Sequence, residues 1–421
     1  ILQNPLRLLP GTHSDPWIYH TFDADDNELG RQINWTTSDS TIATVDAEGA
    51  VALRSGTVTL TASADAVSIQ IPLTIAPVSF VAITAGGTAN ACALTAAHDA
   101  YCWGGNNFGQ LGTTTYDYAG NEGPAPVLGG LKFNTIAAGE TLTCALAAGG
   151  AVYCWGGQDF AGQGSVTPRL VNGVTLQTLS LTGNRACGLD ADGVAHCWGG
   201  NDYSNLFTPP TACGNDCRVT PVATGGDTRW RNISAGDGWH ICGVATDDST
   251  GCWGVNASGQ LGDGTLVDES LPVAVHGGLT FAQVSVGAAT SCGLTSTGDA
   301  YCWGSDRYGS LGGGVAMASC NPPPFDFNPC SPVPQAVAGN HSFTFVGVAY
   351  DHACALDSDG AAWCWGFSDI GDGTPTSPTA IAGSLTFATI SVNDNNCGMT
   401  TGGLAYCWRR LEAPARVPGQ Q

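Results

Sequence analysis

The amino-acid sequence predicts an all-β fold, and three of its properties support this prediction. Gly (59 residues) and Pro (22) are abundant, while charged residues make up only 11% of the chain. This composition favours short strands joined by turns. No segment shows the helical period of apolar residues. Finally, paired cysteines recur seven times with one spacing, which indicates an internal structural repeat.

The length and charge of the chain limit its domain organisation and its partners. With 421 residues, the chain suits one small domain and one large repeat domain. Its 35 acidic residues outnumber the 13 basic ones, which gives a formal net charge of −22. Nucleic acids and anionic membrane surfaces bind clustered Lys and Arg, so neither is expected as a partner. No apolar run of about 18 residues is present, so no transmembrane helix is expected.

Each repeat contains two cysteines ten positions apart, with a Trp directly after the second cysteine. Upstream lies a shared four-residue pattern of one bulky residue, two spacers and an aliphatic residue, as in Phe80–Ile83. Repeats of roughly 43 to 62 residues fall within the range of β-propeller blades. The seven pairs are Cys92 with Cys102, Cys144 with Cys154, Cys187 with Cys197, Cys242 with Cys252, Cys292 with Cys302, Cys354 with Cys364, and Cys397 with Cys407.

The ten-residue spacing predicts a disulfide within each β-hairpin. If residues 92–102 form a hairpin with its turn near His98, Cys92 lies opposite Cys102 and Leu94 lies opposite Ala100. Directly opposed residues of an antiparallel pair have Cα atoms about 4.5–5.5 Å apart, a distance that a disulfide can bridge.

The four other cysteines predict two further local disulfides, Cys213 with Cys217 and Cys320 with Cys330, in insertions between repeats. Zinc binding is the alternative, but the repeated pairs lack a clustered second pair of ligands. Nine disulfides imply an oxidising compartment, so we expect an exported protein.

The repeats resemble the regulator-of-chromosome-condensation repeat, and most closely its secreted bacterial version. The resemblance lies in residues 292–304 (Cys-Gly-Leu-Thr-Ser-Thr-Gly-Asp-Ala-Tyr-Cys-Trp-Gly) and 254–262 (Gly-Val-Asn-Ala-Ser-Gly-Gln-Leu-Gly). It covers residues 78–421 and implies a seven-bladed β-propeller with one disulfide per blade. The eukaryotic family member promotes nucleotide exchange on a small GTPase and contacts chromatin. Neither role is expected here, because an exported acidic chain meets no cytosolic GTPase and repels DNA.

The C-terminal segment is expected to close the propeller ring. A Pro-containing strand signal, such as residues 270–273, precedes each of blades 2 to 7, whereas only the short junction 76–78 precedes the first blade. Residues 413–417 contain a Pro-containing strand signal of the kind that the first blade lacks. We predict that they add the outer strand of the first blade.

Residues 1–77 resemble the bacterial immunoglobulin-like group 2 domain. The resemblance lies in residues 33–39 (Ile-Asn-Trp-Thr-Thr-Ser-Asp) and 56–62 (Gly-Thr-Val-Thr-Leu-Thr-Ala), and it implies a β-sandwich. That family usually has another strand before the position of Ile1. We therefore expect one sheet edge to be open or to be filled by a partner.

The sequence contains no catalytic constellation, and no enzyme activity, cofactor or metal is expected. His240 and His352 stand two residues before a cysteine, where other repeats hold other residue types. We interpret them as strand-end residues at one mouth of the propeller. The acidic segments 23–28, 263–264 and 372–373 lack the ligand register and closing Glu of an EF-hand-like calcium loop. A glycan lyase or hydrolase would need a funnel with paired carboxylates, and the repeats offer no such pair.

Three long loops on one face are the predicted protein-binding surface: residues 113–125, 207–220 and 313–331. Exposed aromatic residues anchor protein interfaces, and a disulfide within a loop lowers its ordering cost. The alternative is that these loops only cap the propeller rim. The predicted partner-binding residues are Tyr116, Tyr118, Phe207, Phe325 and Phe327.

The sequence therefore predicts a non-enzymatic protein-binding scaffold of the periplasm or cell surface of a bacterium. It would dock as an extrinsic accessory subunit on another protein or on a membrane-protein complex. A secreted bacterial enzyme inhibitor with the same propeller supports this class of function. The alternative is a self-assembling structural or adhesive surface protein, with the N-terminal module as a spacer or a polymerising edge.

Overall fold

The computed structural model describes residues 6–8, 33–45, 50–52, 56–65, 67–75, 77–87, 90–113, 117–157, 165–183, 185–199, 221–313, 319–320, 329–366, 376–409, 411–418 and 420. Across these residues the protein is all-β, as predicted. The secondary structure of this part comprises 34 strands and one short 3₁₀ helix, Ala148–Gly150.

Six strands form two small sheets in the N-terminal part. The larger sheet has the order β1-β6-β5-β2, with β1 parallel to β6, and the smaller sheet pairs β3 with β4. Leu60, Leu73 and Ile75 lie in the apolar core between them, and Trp35 packs against this core. The strands are β1 (Leu6–Leu8), β2 (Asn34–Thr37), β3 (Ala43–Val45), β4 (Ala50–Ala52), β5 (Gly56–Ala64) and β6 (Val67–Ile75).

The other 28 described strands form seven four-stranded antiparallel sheets, one for each cysteine repeat. We number these sheets 1 to 7, and in each of them the strands follow one another in chain order. Sheet 1 contains β7 (Ala82–Ala85), β8 (Asn90–Leu94), β9 (Ala100–Asn106) and β10 (Asp117–Pro126). Sheet 2 contains β11 (Phe133–Ala138), β12 (Leu142–Ala147), β13 (Ala151–Gly156) and β14 (Ser165–Thr175). Sheet 3 contains β15 (Ser180–Thr182), β16 (Arg185–Leu189), β17 (Ala195–Gly199) and β18 (Val222–Thr224).

The remaining four sheets repeat this plan. Sheet 4 contains β19 (Trp230–Ala235), β20 (His240–Ala245), β21 (Thr250–Gly254) and β22 (Glu269–Ala274). Sheet 5 contains β23 (Gln283–Val286), β24 (Thr290–Leu294), β25 (Ala300–Ser305) and β26 (Cys330–Ala336). Sheet 6 contains β27 (Phe343–Val348), β28 (His352–Asp357), β29 (Ala362–Gly366) and β30 (Thr379–Ala380). Sheet 7 contains β31 (Thr389–Ser391), β32 (Asn396–Met399), β33 (Ala405–Trp408) and β34 (Ala415–Arg416).

The hairpin register is the one that the cysteine spacing predicts. Cys92 pairs with Cys102 and Leu94 pairs with Ala100 across β8 and β9. The cysteines of the other six sheets are opposed in the same way. These opposed residues are Cys144 and Cys154, Cys187 and Cys197, Cys242 and Cys252, Cys292 and Cys302, Cys354 and Cys364, and Cys397 and Cys407.

All seven opposed pairs have their sulfur atoms at bonding distance. Their Cα atoms lie 4.0–4.1 Å apart, somewhat closer than the distance expected from the hairpin geometry alone. Cys320 and Cys330 also pair, whereas Cys213 and Cys217 lie outside the described residues. The disulfide between Cys213 and Cys217 therefore stays a prediction.

One repeated contact joins neighbouring sheets. Trp155 of sheet 2 shares a buried cluster with Cys92 and Cys102 of sheet 1, and its indole N–H donates to the Gln110 carbonyl oxygen at 3.0 Å. The same bond links the Trp residues of sheets 5 and 6 to the sheets that precede them. Burial of a large side chain contributes about 3 kcal/mol, so these contacts dominate the packing between sheets.

Sheet 7 packs on sheet 1 through the same type of contact. Cys397 shares a buried cluster with Phe80 and Trp103, and the Phe80 N–H donates to the Gly403 carbonyl oxygen at 3.1 Å. In other repeats the bulky residue of the same upstream pattern makes the equivalent bond to the preceding sheet. For example, the Phe343 N–H donates to the Gly298 carbonyl oxygen at 2.8 Å.

The prediction that residues 413–417 add the outer strand of the first blade is wrong. Strand β34 pairs with β33 of its own sheet, and the outer strand of sheet 1 is β10. Likewise, the Pro-containing strand β22 pairs with β21 and completes the sheet before it. A return along the same sheet needs only a local connection, which costs less loop-closure entropy than pairing with a distant strand.

Gly262 provides a test of the contact between sheets. Its φ is +70°, and a Cβ there would lie 2.6 Å from Trp303 Nε1. Gly278 has a similar φ of +66° but has no atom within 4 Å of that position. We expect Gly278→Ala to cost about 1 kcal/mol of unfolding free energy, and Gly262→Ala about 3 kcal/mol because the overlap adds to the backbone strain. Urea unfolding followed by Trp fluorescence measures both, and equal losses would contradict this account.

The cysteine pairing provides a second test. The cysteines of sheet 5 are 0% exposed, so a reductant cannot reach their sulfur atoms in the folded protein. We expect no thiol labelling by iodoacetamide before reduction, and labelling of all 18 cysteines after reduction in denaturant. Labelling of several cysteines in the unreduced, denatured protein would contradict nine disulfides. Binding of stoichiometric zinc would favour the alternative interpretation.

Candidate interaction surface

One face gathers the loops that connect the first and second strands of the seven sheets. We call these connections the inner loops; the first joins β7 to β8 and the last joins β31 to β32. Consecutive inner loops touch each other. Glu140 N–H donates to the Gly183 carbonyl oxygen at 3.1 Å, and Asn393 Nδ2 donates to the Ala85 carbonyl oxygen at 3.4 Å. The second of these bonds joins the last inner loop to the first sheet.

Glycine begins five of the inner loops because the neighbouring backbones approach closely. A Cβ on Gly139 would lie 2.8 Å from the Gly183 carbonyl oxygen, and a Cβ on Gly236 would lie 2.2 Å from the Gly287 carbonyl oxygen. No side chain fits in these gaps. The inner loops therefore form a tightly packed belt that holds the attached side chains at fixed positions.

Four acidic residues from four different sheets lie at this belt. They are Glu140, Asp237, Asp351 and Asp394, of sheets 2, 4, 6 and 7. Burial raises the pKa of Asp394, and the negative charges of Asp351, Asp237 and Glu140 raise it further, while His352 opposes them. Asp394 therefore lies in the field of three other acidic side chains.

Local bonds fix two of these carboxylates. Thr182 Oγ1 donates to Asp237 Oδ1, and Asp351 Oδ1 lies 2.7 Å from His352 Nδ1. Different repeats thus contribute acidic side chains to the same belt.

Aromatic residues and arginines accompany the acidic residues on this face. The Tyr350 side chain is 58% exposed, and its ring centre lies 6.1 Å from that of Tyr308. The Arg307 guanidinium lies 5.5 Å from the Tyr308 ring centre, and the Arg185 guanidinium lies 6.0 Å from that of Trp239. Tyr, Trp and Arg are the residues that contribute most often to protein-binding energy.

We call these residues and the four acidic side chains the inner-loop surface. It comprises Glu140, Asp237, Trp239, Arg307, Tyr308, Tyr350, Asp351 and Asp394, whereas Arg185 is buried, with 7% of its surface exposed, and lies behind this surface as a neighbour of Trp239. Sequence reasoning missed this surface. Tyr308 stands where the first repeat has Phe108, which is a weak signal, and the sequence does not reveal the exposure of Tyr350.

His240 and His352 begin strands β20 and β28, as expected for strand-end residues, but neither faces solvent. His240 Nε2 lies 2.8 Å from Ser291 Oγ of the next sheet, and His352 Nε2 lies 3.0 Å from Asn396 Oδ1. Burial, together with the Arg185 charge, lowers the pKa of His240 to about 3. Both imidazoles therefore join sheets instead of binding a ligand.

The structure does not test the predicted partner-binding residues. Tyr116, Phe207, Phe325 and Phe327 lie outside the described residues, and Tyr118 is described only as backbone of β10. These five residues stay a prediction.

The described part of the chain offers no cluster of three His, Cys, Asp or Glu side chains that could hold a metal ion. Asp263 instead accepts hydrogen bonds from the Thr265 N–H at 3.0 Å and from Asn256 Nδ2 at 3.2 Å. Residues 23–28 and 372–373 lie outside the description. Within the described ranges, no helix has the length and apolar character needed to cross a bilayer.

The repeats match the family that their sequence resembles. One model of the Regulator of chromosome condensation (RCC1) repeat matches residues 80–110 and 281–310, and a second RCC1 repeat model matches residues 98–146 and 252–294. These segments include cysteine hairpins and the Gly-Gln-Leu-Gly turns. Residues 80–146 and 252–310 are therefore similar to the RCC1 repeat.

Solved structures show the same fold. Prp20p from Saccharomyces cerevisiae has a TM-score of 0.62 and 22% identity, covering 74% of this chain and 80% of that chain. Human WBSCR16 has a TM-score of 0.62 and 16% identity, covering 76% and 93% of the two chains. The CRINKLY WD40 ectodomain of the Arabidopsis thaliana receptor kinase ACR4 has a TM-score of 0.52 and 20% identity, covering 81% and 98%. The protein thus has an RCC1-like β-propeller fold.

The buried His240 predicts a response of stability to pH. Its pKa is about 3 in the folded protein and about 6.5 in the unfolded chain, so the unfolded chain binds more protons between these values. The stability associated with neutral His240 is therefore present above about pH 6.5 and is lost as pH falls towards about 3. We expect the stability difference between wild type and His240→Gln to shrink on acidification in thermal unfolding. The exposed His276 provides the control variant, and a His276→Gln difference that shrinks equally would contradict the assignment.

Proposed function

We propose that this protein is a protein-interaction scaffold that binds a partner protein through the inner-loop surface. RCC1-like propellers commonly serve as interaction scaffolds, and the structure of Prp20p is described with its binding to Gsp1p and histones. The observation that carries the proposal is the combination of the exposed Tyr350, the partly exposed Tyr308 beside it, and acidic side chains gathered on a tightly packed belt. A surface that is already ordered loses little entropy on binding.

The proposed architecture is a closed seven-bladed propeller, residues 78–421, preceded by an immunoglobulin-like domain, residues 1–77. The seven four-stranded sheets and the contact between sheets 7 and 1 support the closed ring. The sheet of β1, β6, β5 and β2 and the β3–β4 pair support a separate sandwich with its own apolar core.

The chemistry of the surface favours a partner segment that carries positive charge. Asp394, whose pKa is raised, lies among three other acidic side chains, and the chain has a net charge of −22. Lys or Arg side chains on the partner would relieve this repulsion, and the field would raise the association rate. Tyr350 and Tyr308 would supply the apolar contact area beside the charged residues.

The proposed location is the periplasm or the cell surface of a bacterium, where the protein would act as an extrinsic accessory subunit. The paired cysteines of all seven sheets support an oxidising compartment. The similarity to a receptor-kinase ectodomain is consistent with export.

The second candidate is a self-assembling surface protein, and strand β6 favours it. Val67 and Ile69 are 68% and 63% exposed, and within the described part of the chain β1 pairs with Leu73–Ile75 of this strand. Exposed apolar residues on a sheet edge favour pairing with another chain.

The first experiment is a pull-down from native envelope extract under non-reducing conditions, followed by mass spectrometry. We expect a stoichiometric partner, whose binding weakens at least about 10-fold when Tyr308 and Tyr350 are both replaced by Ala, because hot-spot side chains contribute about 2 kcal/mol each. Leu271→Ala is the matched control, since Leu271 is 61% exposed on the outer strand of sheet 4.

Three outcomes would contradict the proposal. Unchanged binding of the Tyr308/Tyr350 double variant would exclude the inner-loop surface. Loss of binding only after replacement of Tyr116, Phe325 and Phe327 by Ala would place the partner on the predicted long loops. Recovery of this chain alone at high mass would favour the self-assembling protein.

A further inference from the structure

The turn after the third strand is built in the same way in sheets 1, 4 and 5, but one residue differs. The turns span residues 106–112, 256–262 and 306–312, and their first residues are Asn106, Asn256 and Asp306. In each turn the first side chain accepts a hydrogen bond through Oδ1 from the Leu N–H five positions later, at 3.1, 2.9 and 3.0 Å. Asp306 therefore occupies the position of the two asparagines.

The asparagines also donate a hydrogen bond from the other arm of the side chain. Asn106 Nδ2 donates to Thr113 Oγ1 at 3.2 Å, and Asn256 Nδ2 donates to the Thr265 carbonyl oxygen at 3.2 Å. An ionised carboxylate has no hydrogen to donate, whereas a protonated carboxyl group has one O–H donor. Asp306 can thus act as a side-chain donor, as the asparagines do, only when it carries a proton; Gly313 stands where Thr113 does, so the side-chain acceptor of Asn106 has no counterpart here.

The surroundings of Asp306 favour the protonated form. Burial raises its pKa to about 6, against the opposing effect of the Leu311 N–H. Of the described titratable and charged side chains, Arg307 and Tyr308 belong to the turn itself, and Tyr308 contacts Tyr350 of the adjoining inner loop, which Asp351 and His352 follow in the chain. Burial is the cause that raises the pKa, so the preference for the proton follows from the packing of the turn.

This turn links sheets 5 and 6 and supports part of the inner-loop surface. The Ser310 carbonyl oxygen accepts the Trp365 indole N–H at 2.9 Å. A Cβ on Gly312 would lie 2.8 Å from Trp365 Nε1, so the turn backbone lies directly on this indole. Tyr308, which belongs to this turn, contacts Tyr350 of the adjoining inner loop.

We propose that Asp306 makes the turn 306–312 a proton-sensitive joint between the fifth and sixth sheets. Protonation turns the carboxyl group into a donor, as the amides of Asn106 and Asn256 are, and tightens the turn against Trp365. Ionisation removes this donor and leaves a half-buried charge, which loosens the joint. The joint is a property of the folded chain, and it does not depend on whether the inner-loop surface binds a partner.

The sign of the effect follows from the two protonation equilibria. The folded protein holds the Asp306 proton up to about pH 6, whereas the unfolded chain releases it near pH 4. The stability that the protonated group contributes is therefore present below about pH 4 and is lost as pH rises through about 6. An asparagine at this position retains the donor at every pH.

Thermal unfolding of wild type, Asp306→Asn and Asn106→Asp between about pH 4 and pH 8 tests the proposal. We expect Asp306→Asn to melt several degrees above wild type at about pH 8 and to lose this advantage at about pH 4. Asn106→Asp transfers the carboxyl group to the first sheet, and we expect it to show the opposite change. A difference between Asp306→Asn and wild type that stays constant with pH would overturn the proposal.

A direct titration decides the case if either variant fails to fold. Carbon-detected NMR of the wild-type Asp306 carboxyl group is expected to show a midpoint near 6, and the Trp365 indole N–H signal is expected to shift with the same midpoint. A midpoint near about 4, the ordinary value for Asp, or a Trp365 signal that does not follow the titration, would overturn the proposal.

Discussion

The structure depends on the contact between the tryptophan of each sheet and the disulfide of the sheet before it. A sheet of four short strands buries too little apolar surface to be stable alone. The bonded cysteines fix the register of the central hairpin, and the tryptophan of the next sheet covers them. Trp155, Trp198, Trp253, Trp303 and Trp365 are accordingly among the largest fully buried side chains. The contact is repeated between sheets 7 and 1, so the same interaction that stacks the sheets also joins the ends of the array.

At three of these contacts, between sheets 1 and 2, 4 and 5, and 5 and 6, the indole N–H is bonded across the sheets, which makes the packing there directional. The Gln110 carbonyl oxygen accepts both the Trp155 indole N–H and the Thr143 hydroxyl. The Gln260 carbonyl oxygen is bonded in the same way by Trp303 and Ser291. A buried polar group without a partner costs about 1–3 kcal/mol, so a sheet that docked in another orientation would lose these bonds. The turns thus set the angle between neighbouring sheets as well as their spacing.

The proposed function uses the rigidity that this packing produces. Since the inner loops touch one another, side chains of separate sheets share one surface although they are far apart in the chain. The raised pKa of Asp394 reflects this convergence, because the charges that act on it come from Asp351, Asp237 and Glu140. Carboxylates held together in this way repel one another, which destabilises the free protein slightly and favours a cationic partner. The proposed binding surface would therefore combine a small ordering cost with an electrostatic preference.

The sequence by itself determined the local structure of the repeats. Ten-residue cysteine spacing and the following tryptophan define a hairpin, its register and its number of copies, because these depend on neighbours in the chain. The assignment of β34 and the other outer strands to their own sheets needed the structure, since a Pro-containing strand can pair on either side. Only the tertiary structure brought Glu140 to Asp394 and Tyr308 to Tyr350. The physical reason is that these pairs exist only when every sheet packs on the next at a fixed angle, and many weak contacts decide that angle together.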